Sequence, residues 1–107
     1  MRQAIVYKYD IPVGVLIEED NGYKFIYDDS YLSDNSKPSI SLTMPKTQKE
    51  FTSKFLFPAF SNLLSEGVNR KLQSRSLKID ENDSFGLLLA TANFDTVGAI
   101  TVKPIDS

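Results

Sequence analysis

Three groups of carboxylates are the first residues in this sequence whose types could do chemistry: Glu18, Glu19 and Asp20, then Asp28 and Asp29, then Asp80, Glu81 and Asp83. Paired acids serve as general acid and base when their surroundings push their pKa values apart. Each group here sits beside Asn, Gly or Ser in a segment that reads as a turn, where water solvates the carboxylates alike. Solvated turn acids are the simpler reading. The run DENDS looks superficially like a calcium loop, but it lacks the Gly at the sixth position and the distal Glu, so no metal site is expected.

Nucleophilic chemistry fares no better. The chain has no Cys and no His, which removes thiol catalysis, disulfides, imidazole acid–base work and the usual zinc sites. Ser is abundant, yet no G-x-S-x-G elbow occurs and no His could activate a hydroxyl. A G-x-x-x-x-G-K-[ST] phosphate loop and the kinase signatures H-R-D and D-F-G are also missing. No autonomous enzymatic activity and no cofactor are expected.

At 107 residues the chain fits one domain spanning 1–107, and a domain of this size buries roughly 65% of its unfolded-chain surface. Twelve basic against 14 acidic residues leave a net charge of −2, whereas duplex binding is usually carried by clustered positive charge. Nucleic acid is therefore not expected as a direct ligand. The densest basic run, Arg70, Lys71, Arg75 and Lys78, is partly balanced by Asp80, Glu81 and Asp83 and reads as a solvated helix face. No stretch has signal-peptide character or the ~20 apolar residues of a membrane span, so a cytoplasmic location is expected.

The elements that would position any site follow from periodicity. Ile5, Tyr7 and Tyr9, then Val13, Val15 and Ile17, then Tyr23, Phe25 and Tyr27 alternate at period two and predict three half-buried strands. Pro12 and Gly14 mark the first reversal, and Asn21-Gly22 suits a tight type I′ turn at the second. Residues 28–38, DDSYLSDNSKP, read as a loop anchored by Tyr31, because Asp, Ser and Asn side chains bond locally to the backbone. SISLT, Ser39 to Thr43, predicts a short fourth strand followed by the polar loop KTQKE.

The segment FPAFSNLLSEG predicts a helix from Pro58 to Leu64, since Pro is tolerated in a first turn, with Phe60, Leu63 and Leu64 on one apolar stripe. Gly67 supplies its stop. A polar surface helix covers Val68 to Leu77, with Leu72 among its few inward positions. Asp83 caps a third helix that buries Phe85, Leu88, Leu89 and Ala92. Val97 to Lys103 forms a fifth strand. The expected architecture is α+β: a small antiparallel sheet of about five strands with about three helices packed on one side.

Six Phe remain to be housed beyond the strand positions: Phe51, Phe55, Phe57, Phe60, Phe85 and Phe94. Most belong in the core, but surplus apolar surface marks a protein partner. Phe51 and Phe94, each set in polar sequence, are the expected surplus.

Taken in order, the motifs S-x-S-L-x-x-P, F-x-x-F-x-N-L-L-[SP]-E-G, D-x-F-x-L-L and D-x-x-G-A-[IV]-x-[VL]-x-P are similar to the N-terminal subdomain of HipA-type Ser/Thr kinase toxins. They are carried here by Ser39, Ser41, Leu42 and Pro45; by Phe57, Phe60, Asn62, Leu63, Leu64, Glu66 and Gly67; by Asp83, Phe85, Leu87 and Leu88; and by Asp95, Gly98, Ala99, Ile100, Val102 and Pro104. The resemblance spans about residues 4–104. Ser65 stands where many relatives have Pro, and Asn93 where they have Gly. The ATP site, catalytic Asp and activation loop of a full HipA-type kinase follow this region and are not in the chain.

The resemblance implies a stand-alone small subunit, a HipS-like antitoxin of a tripartite HipBST-type toxin–antitoxin system. Such a subunit binds a partner HipA-type Ser/Thr kinase and holds it inactive, with a helix-turn-helix DNA-binding protein reached through the kinase. The expected partner-binding residues are Ser65, Glu66, Gly67 and Val68 in the turn after the first helix, with Phe94 and Asp95 as a second element. Two alternatives stand beside this: a structural or activating subunit of that kinase, or an N-terminal domain excised from a longer one.

Overall fold

A computed structural model describes residues 2–64, 67–91 and 100–105. Strands β1 (Gln3–Lys8), β2 (Ile11–Glu19) and β3 (Gly22–Tyr27) form an antiparallel meander. β4 (Glu50–Ser53) pairs with β3 on one side, and β5 (Ile100–Pro104) pairs with β1 on the other. The sheet order is β4-β3-β2-β1-β5. Helices α1 (Asp29–Ser33), α2 (Pro58–Ser61), α3 (Gly67–Leu77) and α4 (Ser84–Thr91) lie between β3 and β5 in the chain. The α+β layering read from periodicity is the one the chain adopts.

The reversals sit elsewhere than expected. Tyr9 and Asp10 link β1 to β2 with φ of 50° and 66°, and positive φ at both central residues is the requirement of a type I′ turn. The hairpin is therefore closed without glycine. In the second hairpin Glu19 pairs with Gly22, so the two-residue turn is Asp20-Asn21 and neither residue has positive φ among the described residues. Pro12 and Gly14 lie inside β2. Val6 faces Gly14 while Tyr7 faces Pro12, so Val13 is the extra residue of a bulge, which bends a strand and shifts its side-chain parity.

The core set of the first two strands differs from the expected one, and on β2 the bulge lets Val13 and Leu16 both face inward. Ala4 and Val6 are fully buried on β1, and Val13 and Leu16 on β2, whereas Ile5 and Tyr7 are half-buried and Tyr9 is 74% exposed. The inward face of β1 is thus the opposite of the one the aromatic alternation suggested. A one-residue change of register moves a strand's whole apolar set across the sheet. On β3 the expectation holds, with Phe25 and Tyr27 buried. Gly14 lies between Phe25 and Ile26, and a Cβ there would stand 2.3 Å from the Ile26 carbonyl oxygen.

Residues 28–49 are held to the sheet by polar bonds more than by regular structure. Tyr31, on the short helix α1, stacks on Tyr27 with ring centroids 6.1 Å apart and donates its hydroxyl to Pro38 O at 2.6 Å. It is the anchor expected, although the loop around it begins with a helix. Ser39 to Thr43 is not a strand. Its only ladder contact among the described residues is an isolated bridge, Ser41 to Met44. The Ser41 hydroxyl accepts the Thr43 N–H at 3.1 Å, a local bond that folds the segment into a turn instead of a ladder. The fourth strand lies later, at Glu50–Ser53, starting at the last residue of the KTQKE loop. Its Phe51 faces Phe25 and meets the Tyr27 ring edge-on at 6.1 Å, so it belongs to the core and is not surplus.

The helical side chains close over the Phe25–Tyr27 face. Phe60 of α2 lies 5.7 Å from the Phe25 ring, and Phe85 of α4 stacks on Tyr23 at 6.2 Å. With Leu64, Leu87, Leu88 and Val102 they form one buried cluster, in which each large side chain contributes about 1.5–3 kcal/mol. α2 ends earlier than its apolar stripe. From Phe60 to Leu64 the chain continues through i→i−3 bonds, Leu63 N–H to Phe60 O at 3.0 Å and Leu64 N–H to Ser61 O at 3.1 Å, the tighter winding common at helix ends. Asp83 caps α4 as expected, its carboxylate accepting the Gly86 N–H at 3.0 Å. Phe85 and Leu88 are buried and Leu89 half-buried, while Ala92 lies outside the described residues.

Candidate partner-docking surface

The expected binding turn leads into α3. Gly67 opens that helix at φ 60°, the left-handed backbone that favours glycine. Val68 follows at 72% exposure. Ser65, Glu66, Phe94 and Asp95 lie outside the described residues. The structure therefore places two of the expected docking residues, side by side at the N-terminal end of α3.

No side chain of α3 is buried among the described residues. Leu72, expected to point inward, is 55% exposed, and Leu77 is 43% exposed. The helix is tethered by polar bonds at its flanks. Arg70 donates from Nε to Glu81 O at 2.8 Å and from Nη2 to Ser84 Oγ at 2.9 Å. At the other end Lys78 adopts φ 58° and the Ile79 N–H bonds to Ser74 O at 3.0 Å, while the Ser74 hydroxyl donates to Ile79 O. A left-handed residue followed by a six-to-one bond is the Schellman pattern that closes a helix. Lys in that position left no glycine signal in the sequence.

The charges around α3 are also arranged differently from the balanced run expected. Asp83 is engaged by Arg2, through Nη2 at 2.7 Å and Nη1 at 3.0 Å. The Arg2 hydrogen bonds hold the Asp83 carboxyl below the usual carboxylate range, against a smaller opposing effect of burial. Asp80 accepts the Asn82 N–H at 2.8 Å, and Arg70 reaches Glu81 through the backbone carbonyl, not the carboxylate. Lys71 and Arg75 are exposed and are in none of the ion pairs among the described residues.

Other surfaces carry less. An open groove of about 1270 Å³ runs between the β2–β3 turn and the end of β4, lined by Glu19, Asp20, Thr52 and Phe55 among others. Phe55, 73% exposed, is the phenylalanine that the described core leaves out. The groove's Ser53 hydroxyl accepts the Phe55 N–H at 3.2 Å, a turn bond and not an activated nucleophile. Leu42 is fully exposed at the tip of the 41–44 turn. Among the described residues no group of three His, Cys, Asp or Glu side chains could hold a metal ion, and no helix is long and apolar enough to cross a membrane.

The family model for the HipA N-terminal domain matches residues 4–103. The chain belongs to the HipA N-terminal domain family. The fold agrees: a solved structure, "N-terminal domain of HipA toxin", superposes with a TM-score of 0.72 at 28% identity, covering 100% of this chain and 95% of that one. Two relatives match this chain over very different shares of their own length. A Haemophilus influenzae chain described as "Uncharacterized protein" is 31% identical over 103 residues, 96% of this chain and 92% of its own length. A Sinorhizobium fredii protein, "Putative kinase Y4dM", is 32% identical over 103 residues, which are 90% of this chain but 25% of the relative. This chain thus spans about a quarter of the length of that putative kinase.

Proposed function

We propose that this chain is a non-catalytic antitoxin subunit that binds a HipA-type Ser/Thr kinase and holds it inactive. One observation carries the reading. The stretch that matches this chain is a quarter of a putative kinase and 92% of a separate Haemophilus protein. A domain found both fused and separate can occupy, from a separate chain, the place its fused counterpart holds. Inhibition then requires no chemistry from the small subunit, only tighter binding to an inactive state of the kinase than to the active one. A hundredfold preference, about 2.7 kcal/mol, would shift a balanced equilibrium to almost complete inactivity. A helix-turn-helix DNA-binding protein would join through the kinase.

The test is a phosphorylation assay of the HipA-type kinase of the same genome, with and without this chain, after co-elution of the two proteins on a sizing column. Inhibition together with relief of the kinase's growth arrest on co-expression supports the antitoxin. Absence of a complex sinks it. The domain's place inside a putative kinase favours a second reading, a structural or activating subunit, and a rise in kinase activity on addition would select it.

A further inference from the structure

We propose that the exposed face of α3, formed by Val68, Lys71, Leu72 and Arg75, seats in an apolar groove walled by carboxylates on the kinase. The inference rests on the docking reading above and names the face used and the chemistry that receives it.

These four residues are spaced by three and four positions, so they line one stripe of the helix. Val68 and Leu72 form its apolar edge at 72% and 55% exposure. Lys71 and Arg75, exposed and outside the ion pairs of the described residues, run alongside it. Between Gly67 and Ile79 the sequence has Arg70, Lys71, Arg75 and Lys78 and no acid, in a chain whose net charge is −2. Of the acids next in sequence, Asp83 is paired with Arg2 and Asp80 accepts the Asn82 amide. The stripe itself is a local cationic surface with an apolar edge, and its complement is apolar with acidic groups along one side.

Stability points the same way. Isolated helices shorter than about 12–15 residues are marginal in water, and most helices in proteins are held by burial of one face. α3 has 11 residues and buries none among those described. Among the described residues nothing buries its remaining face, and Val68 is continuous in sequence with the turn expected to dock.

The test is calorimetric titration of the kinase with the full chain and with three variants, Leu72→Ala, Lys71→Gln/Arg75→Gln and Lys71→Glu/Arg75→Glu, at low and high salt. The substitutions are at exposed positions, and unchanged thermal melting confirms that each variant is folded. Leu72→Ala and the charge reversal are each expected to weaken binding about tenfold or more. The neutralised variant is expected to bind more weakly at low salt and to lose most of the salt dependence. Wild-type affinity in all three variants would overturn the assignment of α3 and leave the docking reading standing. Failure of the unmodified chain to bind the kinase would overturn both. Self-association of the chain that Leu72→Ala abolishes while kinase binding persists would assign the face to a second copy and also overturn the proposal.

Discussion

Arg2 and Asp83, 81 positions apart, are joined by a two-pronged ion pair with contacts of 2.7 and 3.0 Å. The same guanidinium forks onto Glu18 of β2 with two bonds of 2.8 Å and lies 5.3 Å from the centroid of the Phe85 ring. One side chain at the start of the chain thus ties the sheet to the N-terminus of α4. Its 42% side-chain exposure limits what it contributes, because solvent screens exposed pairs. Arg2→Ala should cost about 1 kcal/mol in chemical denaturation. Asp83→Ala removes the helix cap as well and should cost about 2 kcal/mol.

The same pair predicts an acid limb. Asp83 is held below its ordinary pKa by the Arg2 hydrogen bonds, so its ionised form is favoured in the folded state. That stability is complete above the unfolded carboxylate pKa and is lost as pH falls through the lower folded value. Asp83→Asn keeps a good capping residue but cannot titrate. Thermal melts of the Asn variant should therefore lie below wild type at neutral pH and converge on it below about pH 4. Parallel curves at all pH values would show that the pair contributes nothing.

Gly86 is predicted to reject the best helix former. Ala normally stabilises a helix interior by about 1 kcal/mol over Gly. Here a Cβ would stand 2.3 Å from Asp83 Oδ2 and 3.1 Å from Arg2 Nη1, so the cap and the clamp would have to move. Gly86→Ala should destabilise by about 1 kcal/mol or more, and in the Asp83→Ala background, where the obstructing carboxylate is gone, it should become neutral or stabilising.

Tyr27 controls the loop of residues 28–49. Its hydroxyl donates to Met44 O and accepts the Ile40 N–H at 3.1 Å. Tyr27→Phe should cost about 1–3 kcal/mol by leaving both groups short of a partner. Burial raises the phenol pKa of Tyr27, Tyr31 and Tyr23 above the ordinary value of 10.0. The neutral phenols thus favour folding below the unfolded value, and this contribution disappears as pH rises through the higher folded ones. Wild type should lose stability above about pH 10, and Tyr27→Phe should lose less.

Thr101 offers the opposite outcome. It is 4% exposed on β5, and its hydroxyl has no hydrogen-bond partner among the described residues. Valine keeps the branched shape and the strand preference without burying a hydroxyl. Thr101→Val should stabilise by up to about 1 kcal/mol in urea unfolding. A loss of stability would mean that the hydroxyl is satisfied.

Much of this fold was legible because alternation and capping are local signals. The meander strands, the Asp83 cap, the Tyr31 anchor and the Phe60–Leu64 stripe all follow from residue types a few positions apart. The misreadings share another cause. The burial of both Val13 and Leu16 on β2 depends on the bulge at Val13, a pairing irregularity that alternation alone does not encode. The Tyr9-Asp10 turn takes positive φ without glycine, and Lys78 ends α3 the same way, so neither carries the residue that usually announces such backbone. Ser39–Thr43 alternates like a strand but closes on its own Ser41 hydroxyl. For the candidate site, Gly67 lies in the family motif and Val68 directly follows it. The exposure of Leu72 was not legible, because the sequence does not show that α3 buries none of its described side chains.

A helix that leans on no core also has its own clock. The amides of α3 are protected by its internal ladder, by two arginine bonds and by the Lys78 closure, so their hydrogen exchange should proceed through local opening, with much less protection than the amides of β2 or α4, which exchange near the global limit. The free chain would then hold α3 in rapid equilibrium with an unwound form. Complex formation would register as deuterium retention concentrated in 67–77 while the sheet stayed unchanged.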